Sequence, residues 1–303
     1  MIALRGVSKS YRSWGRETRA VEDVTLDVAP GEVLGIAGPN GAGKSTLIAM
    51  LLGFVRPTAG EITVHGDEPR AYVERHGIAY LPELMSFPKH WRADAALRRM
   101  AVLAGMDADR TEAEVIRVLE MLELGEHACK RMKALSKGNA QRVGLAQAML
   151  RGHDVVVFDE PTHGLDPVWT LRFREVVASL RAPGRAILIA SHNLDELERV
   201  CDRVAILDHG RLQRVVTVRG AAANGTAARE WVLRVAGDPA PFTAAFPGAT
   251  IAGDEVHTPA IGVAELNAGL QAALAAGAHL TGVAPRESTL EAEFHKAVAG
   301  HGT

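Results

Sequence analysis

The sequence predicts an α/β fold: a mixed sheet carrying a helical insertion, followed by a small α+β module. Three features predict it. Val33-Leu34-Gly35-Ile36-Ala37 reads as a short buried strand and Leu47-Ile48-Ala49-Met50-Leu51-Leu52 as an apolar helix, with a glycine-rich turn between them. Val155-Val156-Val157-Phe158 is an apolar run that ends in Asp159-Glu160-Pro161, as a buried parallel strand does when its carboxyl end meets a ligand. Between these stretches, from Ala93 to Ala128, apolar residues recur at helical spacing (Leu97, Met100, Ala101, Leu103, Ala104, then Val115, Ile116, Leu119, Leu122, Leu124), so helices are inserted there.

The turn Gly38-Pro39-Asn40-Gly41-Ala42-Gly43-Lys44-Ser45-Thr46 fits G-x-x-x-x-G-K-[ST] in full and has the strand before and the helix after that the pattern requires. Gly38, Gly41 and Gly43 permit turns closed to bulkier residues and leave backbone amides free to wrap a polyphosphate at the positive end of a helix. Lys44 adds a mobile cation for the outer phosphates, and the Ser45 hydroxyl is a hard oxygen ligand suited to Mg²⁺. With this cradle upstream, Asp159 suits a metal held through its water shell. Glu160 suits the removal of a proton from an attacking water.

With 303 residues, the chain has room for one large domain and a smaller one. Lys+Arg 34 against Asp+Glu 36 gives a net charge of −2, which argues against a nucleic-acid partner held by bulk electrostatics. Cys129 and Cys201 match no metal spacing and read as buried small apolar residues in a reducing interior. The start lacks the pattern of a signal peptide. The longest uncharged apolar stretch, Leu270 to Pro285, is short for a bilayer and is interrupted by Gly277 and Gly282, so the chain is expected not to span a membrane by itself.

Along the chain, Ile2 to Val28 is strand-like with a polar loop from Ser13 to Thr18. Tyr11 before that loop offers either a flat face for an adenine ring or a strand residue packing locally. Pro57 to Gly60 ends the helix after the cradle, and Glu61 to Val64 with His65-Gly66-Asp67 reads as a hairpin. Ile78 to Leu81 reads as a strand closed by Pro82-Glu83, where Glu83 could reach a metal or a water. Arg98-Arg99 and Lys130-Arg131 read as solvated helix faces. Leu135-Ser136-Lys137-Gly138-Asn139 opens a helix from Ala140 to Leu150 with Ser136 as N-cap. His163 to Pro167 is a turn into a helix from Trp169 to Leu180. The buried strand Ala186 to Ala190 delivers Ser191-His192-Asn193 to the ligand edge, where His192 suits a hydrogen bond to a terminal phosphate. Helix Leu194 to Val200 and a hairpin through Asp208-His209-Gly210 complete this part.

A composition change at Gly220 to Gly225 marks a linker. Beyond it the order is strand Trp231–Ala236, helix Pro239–Phe246, strands Ala249–Ile251 and Val256–Thr258, helix Val263–Ala276 and strand His279–Val283. This β-α-β-β-α-β order predicts a ferredoxin-like module, followed by a helix from Ser288 to Val298.

Taken together, the spaced motifs of roughly the first 215 residues resemble the ATP-binding subunit of an ABC transporter. The resemblance implies a P-loop NTPase fold of the ABC-type ATPase, spanning 1–219 with a helical subdomain at about 90–150 that docks on membrane partners, and an accessory α+β domain at 220–303. It implies that Tyr11 stacks on adenine, that Gly38 to Thr46 form the Walker A loop, and that Asp159 is the Walker B metal residue and Glu160 the catalytic base. It also makes Leu135 to Asn139 the signature that contacts ATP held by the opposite subunit, places Asp166 in the loop communicating across that dimer, and makes His192 the switch histidine. Cofactors would be ATP and Mg²⁺. Partners would be an integral-membrane permease and a second copy or a homologous ATPase subunit, with the chain peripheral on the cytoplasmic face.

This sequence departs from the family pattern at Glu83, where glutamine is usual, and at Lys137 and Asn139, where Gly and Gln are commonest. With the C-terminal module, these variants resemble the branch that powers exporters of drugs, lipids or polysaccharides. The competing reading is a soluble ABC ATPase or nucleotide switch acting on a non-transport assembly.

Overall fold

The computed structural model describes residues 2–13, 16–218, 230–285 and 289–299. The chain divides into two compact units, Met1–Gly220 with Glu293–Thr303, and Ala221–Ala292. The linker read at Gly220 to Gly225 lies outside the described residues.

In the first unit, β1 (Ile2–Ser13) and β2 (Arg16–Val28) lead to β3 (Val33–Ala37), α1 (Lys44–Leu51), β4 (Ala59–Val64), α2 (Pro69–His76) and β5 (Ala79–Leu81). Next come α3 (Ala93–Leu103), α4 (Ala108–Met121) and α5 (Lys137–Met149), then β6 (Val155–Asp159), α6 (Pro167–Leu180), β7 (Ala186–Ser191), α7 (Leu194–Val200), β8 (Arg203–Asp208) and β9 (Arg211–Thr217). A six-stranded sheet runs β5-β6-β7-β3-β8-β9, parallel throughout except for the β8–β9 hairpin. Every residue of β3, β6 and β7 is buried, which explains their unbroken Val, Ile, Leu and Ala runs. The register sets Asp159 beside Ala190 and Ala37 beside Ser191, so three neighbouring strands end at one level.

Sequence and structure differ in the outer sheet, β2-β1-β4. The polar stretch read as a loop is mostly strand: Ser13 pairs with Arg16 and Tyr11 with Thr18, because an exposed hairpin tolerates polar residues on both faces. The expected hairpin after Glu61 is a single bridge between Val64 and Asp67; the true partner of β4 is β1, with Ile2 opposite Val64. Helix α2 follows where the sequence shows no apolar stripe, since only Pro69 and Tyr72 are buried along it.

The inserted helices meet the sheet through α5. A Cβ on Gly144 would lie 2.8 Å from Leu81 Cδ1, so the glycine sets how closely α5 approaches β5. Arg98 is partly exposed, as expected, and also ties α3 to α4 through Glu112 at 2.7 Å and bonds Asp94 at 2.9 Å. Cys201 is buried as expected, but Cys129 is exposed, and Arg92 Nη2 donates to its Sγ at 2.8 Å. Arginines cap the C-termini of helices α3 to α7: Arg151 donates to Ala104 O, Arg142 to Leu122 O, Arg117 to Met149 O, Arg185 to Leu180 O and Arg181 to Val200 O. No helix among the described residues is long and apolar enough to cross a membrane.

The second unit contains β10 (Trp231–Ala236), α8 (Ala240–Ala245), β11 (Thr250–Ala252), β12 (Glu255–His257), α9 (Val263–Ala275) and β13 (His279–Pro285). Its antiparallel sheet has the order β11-β12-β10-β13. Leu233, Val235, Phe242, Phe246, Val256 and Leu266 form its core. Gly269 lies so close to the Phe246 ring that a Cβ there would sit 2.2 Å from Cε1, which accounts for a glycine in mid-helix. A final helix, α10 (Thr289–Ala299), is divided between the two units.

Arg185 also donates to His153 O at 2.8 Å, and so fixes the entry to β6. Arg185→Ala removes both carbonyl bonds and is expected to cost about 1–3 kcal/mol. Urea unfolding checks this; an unchanged midpoint would show that the guanidinium holds nothing.

Candidate active site

The glycine-lysine loop leaves β3 and enters α1 at the carboxyl edge of the sheet. Its glycines have different reasons to be glycine. Gly41 and Gly43 have φ of 86° and 101°, the left-handed region that a Cβ penalises. Gly38 is not in that region; its constraint is space, because a Cβ would lie 2.4 Å from Leu207 O. Gly43 is hemmed in as well, with Ala20 O at 2.4 Å from its virtual Cβ. Ala42 N donates to Pro39 O at 3.1 Å and Gly210 N to Ala42 O at 3.1 Å, which ties the loop to the β8–β9 turn. Lys44 is buried and donates Nζ to Gly38 O at 2.6 Å and to Pro39 O at 3.3 Å.

A cleft of about 500 Å³ opens over this loop. Asn40 through Thr46 line it together with Glu83, Asp159, Glu160 and His192 from the ends of β5, β6 and β7. Asp159 is 5% exposed. Burial, then the nearby Glu160 and Glu83 carboxylates, push its pKa from 3.8 up to about 6, with Lys44 opposing.

Glu160 follows with φ 47°, a strained conformation for a side chain of its size. Its N–H donates to Ala190 O at 2.8 Å. The carboxylate accepts from His192 N at 3.0 Å and from Ser191 Oγ at 3.2 Å, and His192 Nδ1 lies 2.9 Å from Oε2. Asn193 N donates to Ser191 Oγ at 3.1 Å, so the hydroxyl is itself oriented. Glu160 is thus held in one position and bonded to the residue that ends the next strand.

The remaining residues singled out in the sequence lie elsewhere. Ser136 caps α5, accepting from Asn139 N at 3.1 Å, so the helix begins at Lys137, before the position read for it. Lys137, Gly138 and Asn139 form the first turn; Asn139 Oδ1 accepts from Arg142, whose guanidinium stacks 4.2 Å from the Trp169 ring centroid. Asp166 caps α6, accepting from Trp169 N at 2.9 Å. None of these lines the cleft, and neither does Tyr11, which is half-exposed under Lys9 Nζ and pairs across the hairpin with Thr18. Thr18, Arg19 and His163 do line the cleft and were not singled out by the sequence. The signal for His163 was its place just past Asp159-Glu160-Pro161, in the turn that follows the acid strand.

The donor set suits a hard divalent cation. Ser45 Oγ, Asp159 and Glu83 are oxygen donors around one cleft, and the raised pKa of Asp159 marks a position where positive charge is short. Among the described residues no cluster of His, Cys, Asp and Glu forms a ready-made metal cage.

A parallel-strand edge that presents a glycine-lysine loop and adjacent carboxylates defines a phosphate-binding nucleotide site. The family model described as ABC transporter matches residues 21–163, and a second one, an AAA domain, matches residues 131–198. The chain is 38% identical over 212 residues to Nod factor export ATP-binding protein I of Bradyrhizobium diazoefficiens, covering 69% of this chain and 68% of that protein. It is also 38% identical over 221 residues to the methionine import ATP-binding protein MetN of Caulobacter vibrioides, covering 70% and 65%. The ATP-binding cassette MJ0796, in a dimeric post-hydrolysis state bound to ADP and Pi, shares the fold at TM-score 0.67 with 22% identity, covering 73% of this chain and 100% of that one. This chain belongs to the ABC transporter ATP-binding family. It spans 60% to 65% of the length of several other curated relatives.

An acid whose folded pKa lies above its unfolded one opposes folding when charged. That cost is full above about pH 6 and is relieved as the pH falls toward 3.8. Asp159→Asn is therefore expected to stabilise the nucleotide-free protein by on the order of 1–2 kcal/mol near pH 7.5, with the gain shrinking toward pH 4. Urea unfolding at both pH values checks it; equal gains at the two would rule out the carboxylate as the source.

Proposed function

We propose that the chain hydrolyses ATP as one subunit of a head-to-tail pair and thereby drives a separate integral-membrane permease. The observation that carries this reading is the acid pair at the end of β6, with Glu160 fixed by β7 and facing the phosphate loop. The loop amides and Lys44 bind the outer phosphates. Glu160 takes the proton of the attacking water, and His192, bonded to that carboxylate, reaches the terminal phosphate. Ser45, Asp159 and Glu83 would hold Mg²⁺, which when bound neutralises charge on the phosphates.

Ser136, Lys137, Gly138 and Asn139 lie outside the cleft of their own subunit, as residues that serve the nucleotide of a partner copy would. Asp166 then adjoins the same interface, and Tyr11 meets the adenine. The pair is either two copies of this chain or this chain with a homologous subunit. It sits on the cytoplasmic face, with the helices at 90–150 toward the permease and 220–303 as an accessory domain. Export is the direction we favour, on the strength of the Nod factor export relatives; the methionine import relative marks the competing direction.

Glu160→Gln is expected to bind ATP as the wild type does and to accumulate as a dimer on size exclusion, with phosphate release lower by about 10²–10⁴-fold. Turnover at the wild-type rate would remove Glu160 as the base.

A further inference from the structure

One line of contacts through the cleft wall is not used by the proposed reaction. Lys137, the first residue of α5, places Nζ 3.0 Å from His163 Nε2. The other ring nitrogen, Nδ1, lies 3.9 Å from Oε1 of the half-exposed Glu83, within ion-pair range but beyond hydrogen-bond distance. Packing holds the lysine there. A Cβ on Gly164 would stand 2.8 Å from both Cδ and Cε of Lys137, and Gly164 has φ 84°, so the turn after His163 is shaped around the lysine stem. That turn is pinned in its own right: His163 N donates to Glu160 O at 3.1 Å, and buried Gln141 in α5 donates to Pro161 O at 3.1 Å.

An ammonium group only donates. With Lys137 donating to Nε2, a neutral imidazole carries its proton on Nδ1, the nitrogen that faces Glu83. The ring thus presents a donor to the one carboxylate that replaces the usual glutamine, and the lysine that replaces a usual glycine supplies the reason for that tautomer.

We propose that His163 is a positioning residue that couples the signature turn to Glu83 within one subunit: Lys137 sets its tautomer, and Nδ1–H restrains the Glu83 carboxylate on the cleft wall. The proposal rests on the reading of Glu83 as a metal-facing residue. A restrained carboxylate is the weaker metal ligand, so the link raises the Mg²⁺ concentration that nucleotide binding needs. When a second copy draws Lys137 toward its own nucleotide, the ring loses its anchor and Glu83 is released to the metal. Dimer closure and metal tightening then become one event.

Two measurements on the full chain test this. In ¹⁵N NMR of the histidine side chains, with the signal assigned among the 12 histidines by its loss in His163→Gln, wild-type His163 is expected as the Nδ1–H tautomer. Lys137→Met is expected to shift it toward Nε2–H; an Nε2–H ring in the wild type, or no response to Lys137→Met, overturns the link. In Mg²⁺ titrations of fluorescent ATP-analogue binding, His163→Ala is expected to lower the half-saturating Mg²⁺ by about threefold, the size of an exposed polar pair, and His163→Asn, which keeps a donor, to recover part of the difference. His163→Ala is expected to have no effect in a Glu83→Gln background. An equal effect in both backgrounds overturns the coupling while leaving Glu83 at the metal. A wild-type Mg²⁺ response of Glu83→Gln alone instead removes Glu83 from the metal, and the proposal with it.

Discussion

The parallel register of β6, β7 and β3 is the constraint on which the larger unit depends. Asp159 lies level with Ala190, and Ala37 level with Ser191, so the acid pair, His192 and the glycine-lysine loop leave the sheet along a single edge. Each of these groups sits unfavourably alone. Asp159 is buried near other carboxylates, Glu160 has left-handed backbone, and the ammonium of Lys44 is buried against carbonyl oxygens. The fully buried strands beneath them supply the rigidity that keeps these groups in place. A polyphosphate with a divalent cation answers two of these demands, because it brings acceptors to the lysine and positive charge to Asp159.

Helix α5 connects this edge to the inserted helices. It begins at the Ser136 cap, meets the turn after the acid strand through Gln141 and Lys137, and packs its Gly144 face on β5, whose end carries Glu83. Movement of the helical layer therefore has a covalent and packed route to both walls of the cleft. Trp169, stacked against Arg142 and close to Arg172, ties the start of α6 to the same helix.

What could be read from the sequence was what local chemistry determines. The loop from Gly38 to Thr46, the apolar strand ending at Asp159 and the Ser136 cap depend on neighbours within a few residues, and each lies where its pattern placed it. The strand partner of β4 could not be read, because pairing with β1 is set by tertiary packing rather than by the turn at His65. Helix α2 was hidden by its polarity: it buries only Pro69 and Tyr72 and owes its place to packing next to β4. His163 was hidden for a different reason. Its partners, Lys137 and Glu83, come from separate elements, so only the folded chain brings the three together. Cys129 was misjudged because its exposure follows from the loop it sits on, not from its residue type.

The central claim is that a triphosphate and its metal occupy the edge formed by these three strands. A crystal structure with a non-hydrolysable ATP analogue and Mg²⁺ tests it most directly. The account predicts the phosphates wrapped by residues 38–46 with Lys44 turned onto them, and the ion between Ser45 and Asp159. Nucleotide bound away from that loop, or density for an ion that touches neither side chain, would contradict it.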